Sequence, residues 1–310
     1  MKPFSFSIVC FLTIATAVAQ INVGNGRGAG NLWVGSHSQK TFDKLKSTTT
    51  YFAVPEVCNS SELKSVIASV WTFNEIEFVP SDAFRNNRKK YVSPENLLIN
   101  LRDLEFTVTK DGFPAGFFGK FYFLVSTYKS VKETGKGEIK GDFLDISEIY
   151  LSKNLLYEEE GQTQYCLNLG LIKNYFQLLN RKLSASENLK MNDGIVDKET
   201  LATLKSKTLY LPWKLDEGLD KEQVESQKKL IEKTLSKYEF DYKIVSYSEL
   251  GDSILNGEDI YYVNETPFFR FYILTIANSK TGEIIYLNNK GNFRIGPGEM
   301  KKINGLVSKD

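Results

Sequence analysis

Histidine occurs once in these 310 residues and cysteine three times, and each scarcity removes a class of chemistry. With His37 alone, histidine-centred triads and His-rich zinc sites lack material. Three cysteines make no disulfide framework, and the chain is long enough to bury a core without staples. Charge of one sign is also missing, since 39 basic side chains face 38 acidic ones. A balance so close to neutral gives no electrostatic reason to expect nucleic acid or an anionic membrane surface as a partner. Long apolar runs are confined to the N-terminus, so no integral membrane segment is expected elsewhere.

That N-terminal run is informative. Lys2, the apolar stretch Phe4 to Val18, and Ala17 and Ala19 around Val18 have the order of a secretory leader with a small-residue cleavage site. A membrane anchor is disfavoured by Thr13, Thr16 and the polar residues from Gln20 to Gly30. Val9 occupies the small-residue position before Cys10, which argues against a lipid-anchored product. Residues 1–19 are therefore expected to be a signal peptide cleaved after Ala19, and the mature protein to be secreted or periplasmic. Cys58 and Cys166 survive cleavage, and the sequence leaves open whether they form a bridge or two buried thiols. Asn59-Ser-Ser61 and Asn264-Glu-Thr266 are glycosylation acceptors only in a eukaryotic host. Residues 20–40, with Gly24, Gly26, Gly28 and Gly30, have the composition of a linker. A Gly-rich loop cradles phosphate when a strand precedes it and a helix follows; here a leader precedes it, so the linker reading is preferred.

The chain repeats itself. Thr41 to Tyr51 recurs as Thr200 to Tyr210, with Thr41/Thr200, Leu45/Leu204, Lys46/Lys205, Ser47/Ser206, Thr49/Thr208 and Tyr51/Tyr210 identical. Further on, Phe117 to Leu124 answers Phe268 to Leu274, with Gly119 as an insertion and Phe121 set against Phe271. Self-similarity at this spacing implies two copies of one supersecondary unit.

Each copy reads as strand, helix, strand, short helix and a strand meander. In the second copy Thr208 to Pro212 is a strand, and Lys221 to Tyr238 carries Val224, Leu230, Ile231 and Leu235 at helical spacing. Asp241 to Tyr247 returns as a strand, and Ser248 caps a short helix ending near Gly257. Strands follow at Asp259 to Val263, Phe268 to Ala277 and Glu283 to Leu287, with Asn278 to Gly282 as a hairpin turn in which Gly282 supplies positive φ. The first copy has counterparts at Thr48 to Val54, Ser60 to Trp71, Glu75 to Val79, Leu97 to Val108, Lys120 to Tyr128 and Phe143 to Leu151. Lys120 to Val125 and Arg270 to Thr275 are apolar on both alternations, so they belong inside a sheet. Leu167, Leu171, Tyr175, Leu178 and Leu179 mark an amphipathic connecting helix, and a last helix is expected from Pro297. The fold class is thus mixed α/β in two quasi-repeated lobes, each a mixed sheet with crossover helices and a C-terminal meander. The first lobe spans 41–153, a helical connector 154–196 and the second lobe 197–310. Tyr51 and Tyr210 would meet across a pseudo-twofold axis.

Motifs that carry chemistry are few, and no catalytic, cofactor-binding or metal-ligating residues are assigned. Ser126-Thr-Tyr-Lys129, Ser186-Glu-Asn188 and Lys280-Thr-Gly282 stand in the chain order of the motifs of penicillin-recognising enzymes, which they resemble. That resemblance implies an acyl-serine enzyme with Ser126 activated by Lys129. Against it, Ser126 ends an apolar strand instead of opening a helix, and the repeat makes the first and third motifs one hairpin seen twice. Tyr175 to Asn180, Asp193-Gly-Ile195 and Glu199-Thr-Leu201 resemble a small peptidoglycan-binding helical module, but Lys205 to Leu211 runs into a strand where that family closes its last helix. Asp142, Asp145 and Glu148 are spaced by three on a strand, where such residues face opposite sides; they read as a solvated edge in preference to a calcium site, and Glu158 to Glu160 as a charge run in a wet loop. Trp33, Trp71 and Trp213, with 16 tyrosines and 21 phenylalanines, supply core and, in part, pocket walls.

With its Leu45-Lys-Ser-Thr-Thr49-Thr-Tyr51 strand opening and its Lys280-Thr-Gly-Glu-Ile-Ile-Tyr286 hairpin, the mature chain resembles uncharacterised secreted bacterial proteins with a duplicated α/β unit. The resemblance implies export and fold and carries no activity. The expectation is an exported, non-catalytic protein that binds an unknown ligand or envelope component in the cleft between its lobes.

Overall fold

A computed structural model describes residues 21–23, 36–110, 113–134, 139–151, 156–158, 165–189, 194–213, 221–268, 271–291 and 295–309. Residues 1–19, expected to be a signal peptide, most of the glycine-rich segment and Glu159 to Gln164 lie outside them.

The first lobe runs β1 (Ile21–Val23), α1 (Gln39–Lys46), β2 (Thr49–Val54), α2 (Ser60–Val70), β3 (Ile76–Pro80), α3 (Ser81–Asn86), α4 (Arg88–Tyr91), β4 (Asn96–Lys110), β5 (Phe113–Glu133) and β6 (Ile139–Leu151). A small hairpin, β7 (Leu156–Glu158) and β8 (Tyr165–Leu167), leads into α5 (Leu169–Ser184). The second lobe is β9 (Ile195–Val196), α6 (Lys198–Ala202), β10 (Leu209–Pro212), α7 (Lys221–Leu235), β11 (Tyr242–Val245), α8 (Tyr247–Leu255), β12 (Tyr261–Phe268), β13 (Phe271–Asn278), β14 (Ile284–Gly291) and α9 (Pro297–Val307).

The duplication is complete at the level of topology. One sheet has the order β1-β6-β5-β4-β2-β3 and the other β9-β14-β13-β12-β10-β11, so every strand has a counterpart in the same place. In both, the strand next to one edge (β2 or β10) is parallel to its two neighbours and the meander is antiparallel. The strand preceding the first helix closes the far edge of each sheet.

Two boundaries differ from the sequence reading. Ile21–Val23, inside the segment with linker composition, is a buried strand that pairs with Ser147–Ile149 and exchanges backbone hydrogen bonds with Leu189. Its three residues order themselves by borrowing a ladder from β6, which composition cannot reveal. The capping residue of α8 is Ser246, not Ser248: its hydroxyl accepts from Glu249 N–H while the Glu249 carboxylate accepts from Ser246 N–H.

The aromatic segments are also matched one residue differently. Tyr51 pairs with Leu98 and Tyr210 with Tyr262, which makes Leu98 and Tyr262 equivalent. Leu98 opposes Ser126 and Tyr262 opposes Ala277, so Phe123 corresponds to Leu274 rather than Ile273. A one-residue slip in a strand exchanges faces, and the observed matching puts Phe123 and Leu274 on like faces of their sheets.

The faces define the layers. Phe52, Leu97, Ile99 and Phe123 look toward α1, α2 and α5, whereas Ala53, Val79, Leu98 and Tyr128 look toward Phe84 of α3 and Tyr91 of α4. In the second sheet Leu209, Leu211, Val263 and Leu274 face α6, α7 and α9, and Tyr262, Ile273 and Ala277 face α8 and α5. The α5 side of lobe one therefore stacks on the α8 side of lobe two. This arrangement is head to tail, and it overturns the pseudo-twofold expectation: Tyr51 packs edge-on against Tyr91 within its own lobe.

Helix α5 belongs to both lobes. Phe176 contacts Phe52, Trp71 and Phe123, and Asn180 Oδ1 accepts from the N–H groups of Thr72 and Phe73 at 2.7 and 2.9 Å. On its other side Asn174 donates to the Ser279 carbonyl at 2.6 Å and accepts from the Tyr262 hydroxyl at 3.0 Å, while Gln177 donates to the Lys280 carbonyl at 3.0 Å. At the N-terminus Asn168 caps Leu171 and donates to the Tyr247 carbonyl. Gly170 lies so close to α8 that a Cβ would stand 2.2 Å from the Gly251 carbonyl oxygen. Gly282 has φ +66° as expected, and a Cβ there would also stand 2.2 Å from the Asn174 carbonyl oxygen.

Cys58 and Cys166 are bridged, with Cα atoms 5.0 Å apart, within the usual span. Beside the bridge Asn59 imitates a strand partner, donating to the Leu167 carbonyl and accepting from its N–H. The start of α2 is thereby fastened to the entry of α5.

Two measurements follow from this packing. Gly282→Ala should lose more than about 2 kcal/mol in denaturant unfolding, combining backbone strain with overpacking. Gly257→Ala, at φ +74° with nothing within 4 Å, should lose only the strain component of roughly 1 kcal/mol. Equal losses would show that the turn is not wedged against α5. Replacing Cys58 and Cys166 by alanine should cost about 2–5 kcal/mol, read as a lower thermal midpoint that reductant no longer changes.

Candidate functional site

The first sheet changes direction at β2, one strand in from its edge. The chain leaves β2 for β3 through α2 on one face, then passes over β2 to β4 through α3 and α4 on the other. The carboxyl end of β2 and the adjoining stretch of β4 thus flank a topological switch point, the place where open α/β sheets leave a crevice. A cavity of about 500 Å³ lies there, lined by Ala53, Pro55, Glu56, Ser81, Phe84, Arg85, Arg88, Asn100, Leu101 and Arg102. A second, of about 560 Å³, continues from it past Arg88 and Arg102 to Tyr128, Lys140, Gly141 and Phe143.

Secondary structure sets the side chains around this trough. Arg85 and Arg88 come from the α3–α4 crossover, with Phe84 stacked on Tyr91 to anchor it. The Arg88 guanidinium donates to the Tyr128 hydroxyl at 3.1 Å, and Arg102 donates to Asn100 Oδ1 at 3.2 Å. Glu56 lies 3.4 Å from Arg85 and accepts from Ser81 Oγ.

The equivalent place in lobe two is filled. By register Asn264 is the counterpart of Asn100, and its amide donates to the Tyr175 hydroxyl of α5 at 2.6 Å in a buried setting. Burial pushes the Tyr175 and Tyr262 hydroxyls well above their ordinary value, so both stay protonated. Along the described residues the lobes are joined by α5 and α8 at the position where the sequence suggests a cleft.

Other candidate residues are dispersed. Ser126 is buried opposite Leu98 on the α3–α4 face of the first sheet. Ser186 lies past the end of α5 on the opposite side, accepting from Gln39 and Lys46. Lys129 pairs with Asp142 at 3.8 Å, and Lys280 sits in the second lobe's hairpin turn. The first sheet separates Ser126 from Ser186, so the three motifs do not share a site. Tyr175 to Asn180 belongs to the interlobe helix, Ile195 to a sheet edge and Glu199 to Leu201 to α6, so the wall-module resemblance is divided among elements of both lobes. Asp145 and Glu148 are buried, each 5% exposed, which corrects the solvated-edge reading. Glu148 accepts from the Tyr150 hydroxyl, and a bulge beside Ser126 shifts the register there. His37 is buried, its backbone N–H held by Asn188 at 2.7 Å. Among the described residues no three His, Cys, Asp or Glu gather to hold a metal, and no helix is long and apolar enough to cross a membrane.

Sequence reasoning missed the arginines of the crevice because they form no motif. They come from one crossover and one strand and are assembled only by topology. Comparison with protein-family models, curated proteins and solved structures gave no match.

The plugged counterpart site predicts an alkaline limit. Because the folded chain keeps these phenols protonated while the unfolded chain releases protons above about pH 10, their contribution to stability should be level below that pH and fall above it. Tyr175→Phe should cost about 1–3 kcal/mol by stranding the Asn264 amide and should reduce the alkaline slope in urea unfolding between pH 9 and 11.

Proposed function

We propose that this is an exported, non-catalytic two-lobed protein whose task is to bind a ligand or envelope component through the crevice of its first lobe. The observation that carries the reading is the unequal fate of one position in two equivalent lobes. In lobe two the switch-point asparagine is consumed by Tyr175, while in lobe one Asn100 lines an open cavity of about 500 Å³, within the size range of small-molecule sites. The Ser126, Ser186 and Lys280 motifs lie apart, which speaks for binding over acyl-serine chemistry. Export is supported by the leader-like N-terminus and fits the Cys58–Cys166 bridge.

Native mass spectrometry of the protein recovered after expression with its leader intact tests both parts. The mature chain should begin at Gln20 and carry a small-molecule adduct. Asn100→Trp should abolish the adduct, and Lys229→Gln, on the exposed surface of α7, should retain it. An adduct indifferent to Asn100→Trp, or none at all, would remove the crevice as the binding site.

A further inference from the structure

The trough carries charge of one sign. Arg85, Arg88, Arg102 and Lys140 line its two cavities, and Glu56 is the one acid among the lining residues. Arg85 lies beside Glu56, which partly offsets its charge. Arg88 and Arg102 are different: each is oriented by a neutral acceptor, Tyr128 and Asn100, which fixes direction without cancelling charge. A guanidinium has five N–H donors, so one such bond leaves most of its fork for a ligand. The neighbouring pairs Lys89–Glu133 and Lys129–Asp142 neutralise themselves and add no net field. Arg88 and Arg102 line both cavities and so stand at their junction. Pro55, Phe84 and Leu101 on one side and Phe143 on the other give apolar walls beside the cations.

Resting on the reading of this crevice as the binding site, we propose that its ligand is a small multivalent oxyanion, with phosphate or carboxylate groups that engage Arg88 and Arg102 together. Planar forked donors match both groups in bidentate fashion. Two cavities of this size admit a molecule with anionic groups on either side of the arginine pair. Glu56 competes for Arg85 and opposes the ligand from the rim.

Isothermal titration of the full mature chain with pyrophosphate and, separately, with citrate tests the proposal. At least one should bind, more weakly as salt is raised; pyrophosphate alone would assign phosphoryl groups and citrate alone carboxylates. Arg88→Gln combined with Arg102→Gln should weaken binding at least about tenfold, with circular dichroism checking the fold. Lys301→Gln combined with Lys302→Gln on α9 should leave it unchanged. Glu56→Gln should strengthen it, a gain that loss of structure does not produce. Binding unaffected by the arginine pair, or no binding of either anion, overturns the proposal. If neither anion binds while the native adduct still depends on Asn100, the anion class falls and the crevice reading stands; if the adduct too is indifferent to Asn100, both fall.

Discussion

A helix without a solvated long face has to satisfy two different partners, and α5 does so by dividing its chemistry. Toward the first sheet it presents Phe176, Leu179 and Leu183, whose burial is worth about 1.5–3 kcal/mol each. Toward the second lobe it presents Asn168, Asn174 and Gln177, each donating to a backbone carbonyl that the contact would otherwise leave unpaired. Amide donors fix position as well as energy, because a hydrogen bond near 2.6 Å tolerates little sliding. The glycines Gly170, Gly251 and Gly282 then become obligatory, since backbone of the second lobe touches backbone of α5 or lies against its cap. The disulfide and Asn59 fasten the entry of this helix to α2, so its placement is held from the end as well as from both sides.

Head-to-tail stacking of two like units leaves two unlike outer faces. Such stacking could in principle continue, because each unit offers the surface that the next would use. The outer side of α9 is built differently. Where its counterpart α5 offers Gly170, Asn174 and Tyr175 to a neighbour, α9 turns Lys301, Lys302 and Gly305 to solvent and buries only Met300, Ile303 and Val307. A unit stacked on that side would meet charge where α5 offers small and amide side chains. On the opposite outer face, α3 and α4 cover part of the first sheet and leave the trough beside them.

Much of this architecture is written locally and so can be read from the chain. The hairpin at Asn278 to Gly282 follows from Asn278 accepting from the N–H groups of Lys280 and Thr281, and the long meander strands follow from apolar alternation. What depends on distant partners is not legible. Residues Ile21–Val23 look like linker until β6 is placed beside them. Gly170 reads as an ordinary helix residue until α8 arrives, and Asp145 and Glu148 look solvated until a bulge and their surroundings bury them. The repeat was visible, but its aromatic segments align by identity one residue away from where the ladder puts them, because apolar residues on both alternations give no parity to read. The site was the least legible part. Arg85, Arg88, Arg102 and Lys140 are separated by up to a whole hairpin and share no spacing that chemistry would impose.

The duplication explains why one lobe keeps an open crevice and the other does not. Both sheets have an asparagine at the same register, on β4 and on β12, and each uses its side-chain amide to orient a neighbour. In lobe two Asn264 meets the tyrosine of an incoming helix, and the position two residues on is the buried Thr266. In lobe one no counterpart of the docked α5 lies there among the described residues, and the position two residues on is the exposed Arg102, which Asn100 holds toward the trough. Stacking one unit on another must close one of two equivalent crevices, because the helix that joins them docks on that face. The crevice that remains is free to gather cations, since no buried partner has to tolerate them. Asymmetry between the lobes is therefore a consequence of how they are joined, and the surviving crevice is where the chain has changed its residue types from packing to charge.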